Sequence, residues 1–236
     1  PATNRLSGAG VTYDEQGNLK TWSGNIYKFD ALNQLISYTN SAGENWAYFY
    51  DADGERVLTF RKVNTPNGVQ LQERWTLRDP AGRVLREIYW NGATTNVLDP
   101  SLGNEMNDYI YRGGQVTAIE MPRAARHLSL DHLGTPRLLT NRRGVETAFH
   151  VYYPFGEEAT AFNQDVIRAK FTGHERDLNN PSDADDDLDY MHARYYSPIS
   201  GRFLSVDTAK LALGSPNSWS RYQYSRNRPL VFLDPD

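Results

Sequence analysis

The sequence predicts an all-β fold, made of β-hairpins stacked in series into one long sheet. Three observations carry that prediction. Tyrosine numbers 15 and aromatics reach 12% of the 236 residues, against only 3 Met. Gly, at 18, and Pro, at 12, are scattered rather than clustered, as short strands and tight turns require. A short unit also recurs: an aromatic or apolar residue, Asp, two variable residues, Gly or Asn, and soon an aliphatic. Long helical heptads are absent, and only about residues 183–194 and 206–213 could sustain a helical turn or two.

The units run in order along the chain. Tyr13-Asp14 leads to Gly17 and Leu19, and Phe29-Asp30 to Asn33 and Leu35. Tyr50-Asp51 leads to Gly54 and Val57, Asp79 to Gly82 and Val84, and Asp131 to Gly134. From 14 to 30, 51, 79 and 131 the aspartates step by 16, 21, 28 and 52 residues, a unit of about 20 with insertions and degenerate copies. Tyr109–Ile119 reads as one such copy, with Gly113-Gly114 in place of Asp-x-x-Gly. The physics of the unit is local. Asp bonds the backbone two residues on and starts a turn. Gly, or Asn33, accepts the positive φ that closes it. The flanks, such as Trp46-Ala47-Tyr48-Phe49-Tyr50 and Arg83 to Trp90, are dense in β-branched and aromatic residues. Each unit is therefore strand, turn, strand. One hairpin is barely stable alone, but stacked hairpins bury a continuous face. A β-propeller would need blades of about 40–45 residues, which these spacings do not match.

Composition excludes several functions. The 25 Lys and Arg against 29 Asp and Glu give a net charge of −4, without the clustered basic field that nucleic-acid backbones require. The absence of cysteine excludes a disulfide scaffold, a thiolate zinc site and a thiol nucleophile. No apolar run reaches the length of a membrane-spanning helix, and residues 1–20 hold no signal-peptide core. The abrupt start at Pro1 and stop at Asp236 read as a fragment of something longer.

The repeats resemble the YD repeats of the Rhs family, and the second half strengthens the resemblance. Leu130-Asp131-His132-Leu133-Gly134-Thr135-Pro136-Arg137 resembles its D-H-L-G-T-P-R segment, and Tyr152-Tyr153-Pro154-Phe155-Gly156-Glu157 its Y-x-P-F-G-E. Phe171 to Asp177 resembles F-T-G-x-E-R-D. Leu188-Asp189-Tyr190, Ala193-Arg194-Tyr195-Tyr196 and Gly201-Arg202-Phe203-Leu204-Ser205 resemble L-D-Y, A-R-Y-Y and G-R-F-L-S, in the family's order. The resemblance covers nearly the whole chain and reaches the C components of insecticidal toxin complexes and the teneurins. It implies YD repeats over 1–125, an Rhs-associated core domain over 126–236, and truncation at both ends. It implies a sheet wound into a spiralling shell around a C-terminal polymorphic toxin, which in many relatives self-cleavage releases. The partners it implies are that toxin domain, the rest of the shell, and an immunity or secretion-apparatus protein. The expected place is secreted or at the bacterial cell surface, with export by a dedicated system. No cofactor is expected. The alternative is a cell-surface or wall-associated module that binds carbohydrate or a partner without catalysis.

By the same resemblance, paired D-P-x-G segments supply an aspartyl-protease-like self-cleavage site. The matching positions are Asp207 and Asp234, with Arg202 as the supporting cation. Two close carboxyls sharing a proton can serve as base and acid for water attack on a peptide bond. Here the first segment reads Asp207-Thr208-Ala209-Lys210, without Pro or Gly, and the second is Asp234-Pro235-Asp236. Both aspartates would otherwise simply cap turns.

Asn179–Asp189 is an acidic insertion in which Asp183, Asp185, Asp187 and Asp189 alternate, as weak candidate calcium ligands. An EF-hand needs Gly at its sixth and Glu at its twelfth position. From Asp183 those positions hold Leu188 and Arg194, so the segment reads as a solvated acidic loop. The histidines His127, His132, His150, His174 and His192 show no zinc spacing. Trp22, Trp46, Trp75, Trp90 and Trp219 read as sheet core, with sugar stacking as the other use of such rings.

Overall fold

In the computed structural model, residues 4–65, 68–91, 105–161, 163–178, 187–208 and 219–234 are described. Thirteen strands follow one another in chain order in one antiparallel sheet. They are β1 (Thr12–Tyr13), β2 (Leu19–Trp22), β3 (Asn25–Phe29), β4 (Leu35–Thr39), β5 (Asn45–Tyr50), β6 (Arg56–Thr65) and β7 (Gly68–Arg78). Then come β8 (Val84–Asn91), β9 (Glu105–Arg112), β10 (Gln115–Met121), β11 (Ala124–Leu130), β12 (Pro136–Thr140) and β13 (Glu146–Phe149). The sheet is open, with β1 and β13 at its edges, and β10 pairs with β11 across residue 125 without a break. The all-β prediction holds.

The repeat now has a geometric meaning. In a meander, every second connection lies on the same edge. The turns at Asp14, Asp30, Asp51, Asp79 and Asp131 follow β1, β3, β5, β7 and β11, so they line one edge of the sheet. Gly113-Gly114, after β9, lies on that edge too. One unit is thus one strand out and one strand back. In each Asp turn but the first, a carboxylate oxygen accepts the backbone N–H two and four residues on, as Asp51 does from Asp53 and Glu55 at 3.0 and 2.9 Å. Asp30, Asp79 and Asp131 repeat the pattern. Asp14 makes the second of these bonds, to Asn18 at 2.7 Å.

Two further copies use Asn and lie on the opposite edge. Asn141 accepts from Arg143 and Val145, and Asn40 accepts from Glu44. Gly144 and Gly43 close these turns by donating to the Asn141 and Asn40 carbonyls.

One face of the sheet is buried. Tyr27 pairs with Tyr38, and Tyr38 with Trp46, so three rings stand in a row across β3, β4 and β5 at centroid spacings of 5.3 and 5.1 Å. Each such pair adds roughly 0.5–1.5 kcal/mol beyond area burial. Covering this face is a second antiparallel sheet of β14 (Glu175–Asp177), β15 (Leu188–Met191), β16 (Arg194–Ser197) and β17 (Arg202–Phe203). Leu188, Tyr190, Tyr195 and Leu204 share one apolar core with Leu19, Tyr27, Tyr38 and Trp46 of the large sheet.

The structure corrects the helical reading of residues 187–194. They form β15, a turn and the start of β16, and all four residues of β15 are buried. A segment packed on both faces has no exposed side to set a helical period. Residues 206–208 are not helical either; 183–186 and 209–213 lie outside the described residues. The tryptophans divide. Trp46 is core, whereas Trp75 and Trp219 are exposed and Trp22 and Trp90 half-buried. Among the described residues no helix is long and apolar enough to cross a membrane.

Candidate functional site

The small sheet docks along the Asp-turn edge. Tyr222 donates its hydroxyl to the Gly17 carbonyl at 2.6 Å, in the Asp14 turn. His192 meets Glu55 of the Asp51 turn at 2.9 Å. The Thr172 N–H donates to Thr135 Oγ1 of the Asp131 turn at 3.0 Å. The turns that close the hairpins therefore also seat the C-terminal region.

Beneath that edge lies a buried ionic cluster. The Arg56 side chain is fully buried and donates to Asp177 at 2.7 Å, Tyr195 at 2.6 Å and Glu175 at 3.0 Å. Arg74 and Arg168 hold the other Asp177 oxygen at 2.8 and 2.6 Å. Arg78 pairs with Glu175, and Arg168 also with Glu87. Burial pushes both Glu175 and Asp177 up, but the surrounding guanidinium groups outweigh it and hold both carboxyls below their ordinary values. These arginines sit on strands of the large sheet or just before β14, so the cluster fastens one sheet to the other.

The aspartates predicted as a pair do converge, and the cation between them is Arg194. Its Nη2 lies 3.6 Å from Asp207 Oδ2 and 3.7 Å from Asp234 Oδ2. Arg194 opens β16 and its guanidinium carbon lies 3.6 Å from the centroid of the Phe203 ring, which fixes its plane. Asp207 follows β17 and is held by backbone bonding with Arg221. Asp234 follows the 3-10 turn Ser225–Asn227. Arg202 lies elsewhere: its guanidinium donates to the Asn4 carbonyl at 2.8 Å.

The two carboxyls sit in different surroundings. The Asp207 side chain is 41% exposed and that of Asp234 only 25%. Burial raises the Asp234 carboxyl above its ordinary value, with the Asp207 charge adding to the rise and Arg194 opposing it. Burial also lowers the Arg194 guanidinium. Two carboxyls in unlike surroundings beside one cation are an arrangement that acid–base hydrolysis can use. The signal for Arg194 lay in Ala193-Arg194-Tyr195-Tyr196, but nothing in that run says which carboxylates it meets.

Of the weak metal candidates, Asp183 and Asp185 lie outside the described residues. Asp189 is fully buried and takes a two-pronged pair from Arg176 at 2.7 and 2.9 Å. Asp187 is buried beside the same arginine. The described end of the acidic insertion is therefore not a solvated loop: Arg176 compensates its charge inside the fold. Among the described residues no group of three or more acidic, His or Cys side chains could hold a metal ion.

His150 is a further buried site that zinc spacing could not reveal. Its Nδ1 lies 2.6 Å from Glu158 and its Nε2 2.7 Å from Asp165, and Lys170 pairs with Asp165 at 3.2 Å.

Comparison with known proteins agrees with this architecture. The family profile described as Teneurin YD-shell matches residues 5–230. Toxin subunit YenC2 of Yersinia entomophaga is 33% identical over 226 residues, covering 86% of this chain and 20% of that protein. Salivary gland surface protein 1 of Aedes aegypti is 28% identical over 237 residues, covering 96% of this chain and 6% of that protein. The crystal structure of TcdB2-TccC3 without its hypervariable C-terminal region superposes with a TM-score of 0.74 at 24% identity, over 95% of this chain and 11% of that one. The curated relatives are longer proteins, of which the chain spans from 6% to 22%.

Proposed function

The chain belongs to the teneurin YD-shell family, and from that premise we propose that it is the closing segment of a shell around a toxin. In this reading the large sheet is wall and the small sheet is the inward-folded end. The toxin is the polypeptide that follows, and cleavage at the Asp207–Asp234 pair frees it. The single observation that carries the release step is the convergence of Asp207 and Asp234 on the Arg194 guanidinium. The likeness to a toxin subunit and to the TcdB2-TccC3 fold supports the shell.

The chemistry follows from the two environments. Asp207, more exposed, is the carboxylate that takes a proton from water as the water oxygen bonds to the scissile carbonyl carbon. Asp234, raised by burial, is the protonated partner that gives its proton to the departing amide nitrogen. The C–N bond breaks, leaving one carboxyl and one amine terminus. Arg194 is a positioning residue that holds the two carboxyls in one site.

The test is the protein extended through its native C-terminus, run on a denaturing gel beside an Asp207→Asn variant. Wild type split and variant intact is the expected result. Both remaining full length overturns the release step.

A second reading, a surface module binding a glycan or a partner, draws on the far face of the large sheet. There Phe49 and Trp75 stand half-exposed. Salivary gland surface protein 1 is a relative whose name places it at a surface.

A further inference from the structure

A cavity of about 250 Å³ lies between the Asp-turn edge and the small sheet. Gly82, Gly114 and Gly134 form part of its rim, so the repeat's turn glycines open it. Its lining is mixed: Val84, Val116, Leu130 and Leu133 supply an apolar part, and Arg78, Arg83 and Glu175 a charged one. Pockets for drug-sized ligands run to roughly 300–1,000 Å³, so this one suits a side chain or two instead. Two features join it to the aspartate pair. Leu233, which precedes Asp234, lines it and remains half-exposed. His174, also in its lining, acts electrostatically on the Asp234 carboxyl.

We propose that this cavity binds an apolar side chain of the polypeptide following Asp234 and thereby fixes which peptide bond the Asp207–Asp234 pair cuts. The proposal rests on the self-cleavage reading above. Leu233 brings the chain to the cavity wall one residue before Asp234. An apolar side chain seated there would hold the next peptide bonds beside the two carboxyls, converting a flexible tail into a positioned substrate. The polar rim, with Gln115 and His192, would exclude a second apolar group and set the direction of the chain.

The protein contains no cysteine, which supplies a clean probe. Gln115 is exposed at the rim, so Gln115→Cys places one thiol there without touching the core. The experiment uses the full-length native protein carrying Asp207→Asn, so that it stays uncut, and measures maleimide labelling of that thiol. Labelling is expected to be about tenfold slower than when a short stretch after Asp236 is replaced by Gly and Ser, as for a site filled roughly nine-tenths of the time. In the protein with both aspartates intact, Gln115→Trp fills the cavity. It should slow self-cleavage about tenfold, equivalent to roughly 1.4 kcal/mol of barrier, without lowering the melting temperature. Equal labelling of the two proteins, or cleavage of Gln115→Trp at the wild-type rate, overturns the proposal. Protection of the thiol in a protein whose wild type never splits keeps the pocket and removes the protease reading.

Discussion

Arg56 and Asp177 face each other across the two sheets at 2.7 Å, with side chains 0% and 2% exposed. They are 121 residues apart in sequence, and each is surrounded by further charges of the other's sign. An isolated buried charge is costly, and a pair is tolerated only when hydrogen bonds satisfy both members. Here Tyr195, Glu175, Arg74 and Arg168 provide most of them, and Arg56 Nε alone of that guanidinium is left without an acceptor.

Removing one member should therefore uncover the others. Arg56→Ala leaves Asp177 and Glu175 short of a guanidinium inside the junction. It is expected to cost about 3–5 kcal/mol. A urea titration followed by tryptophan fluorescence reads this directly. Arg56→Lys should recover only part of it, because an ammonium cannot span Asp177, Glu175 and Tyr195 with a planar fork. Full recovery by lysine would show that charge alone matters.

Glycine at position 156 serves both conformation and space. Its φ is +90°, and a Cβ there would stand 2.6 Å from Phe171 Cδ1. Gly144 has a similar φ of +75°, yet a Cβ there meets nothing within 4 Å. Gly144→Ala should cost only the backbone strain, of order 1 kcal/mol. Gly156→Ala should cost a further 1–3 kcal/mol or so from overpacking against Phe171. Thermal melts of the two variants give the comparison, and equal losses would show that the ring moves aside freely.

These contrasts show what was readable in the sequence. The turns at Asp30, Asp51, Asp79 and Asp131 were legible because their bonds reach only two and four residues along the chain. The copies at Asn40 and Asn141 escaped a template written for Asp, although an amide oxygen accepts the same N–H groups. The Asp207 and Asp234 pairing came from a family resemblance, whereas the cation between them is Arg194. Arg56 carries no local signal at all, since its partners arrive from residues 175–195. A charge inside a period-2 strand looks solvent-facing until the opposing sheet is known.

His150 gives a pH dependence with a definite sign. Burial alone would lower its pKa, but bonds to Asp165 and Glu158 outweigh that and raise it above the ordinary 6.5. The folded state thus prefers the charged ring. The stability this adds is fully present below pH 6.5 and is lost as pH rises through the raised value. Chemical denaturation from pH 6 to about pH 9 should show wild type losing stability relative to His150→Gln, which has no ring to titrate. A constant difference across that range would mean that the folded ring titrates where the unfolded one does, and wild type gaining stability instead would mean that the folded ring stays neutral. Glu158 and Asp165 act in the opposite direction. Burial raises them, yet the His150 bonds hold both below their ordinary values, so their contribution fades in acid.

The last prediction separates the roles of the three groups at the C-terminal site. If Asp234 acts as the acid, self-cleavage of the full-length protein falls as pH rises through its raised pKa, and Asp234→Asn abolishes it. Arg194 opposes the burial that raises this carboxyl. Replacing it by Gln removes that opposition and lets the neighbouring Asp207 charge act on Asp234 unscreened. The Asp234 pKa should then rise further, so the alkaline limb of the pH–rate profile moves to higher pH. The rate at the optimum should fall by roughly 10²–10³, because two carboxyls without a shared cation no longer hold one fixed geometry. Single-turnover cleavage followed on gels across pH measures both effects. A purely structural role for Arg194 predicts loss of rate with an unmoved limb, and Arg194→Lys tells the two apart. A positive charge that merely tunes Asp234 is restored by lysine, and the limb returns. A planar guanidinium needed on the Phe203 ring, 3.6 Å away, is not restored, and the rate stays low.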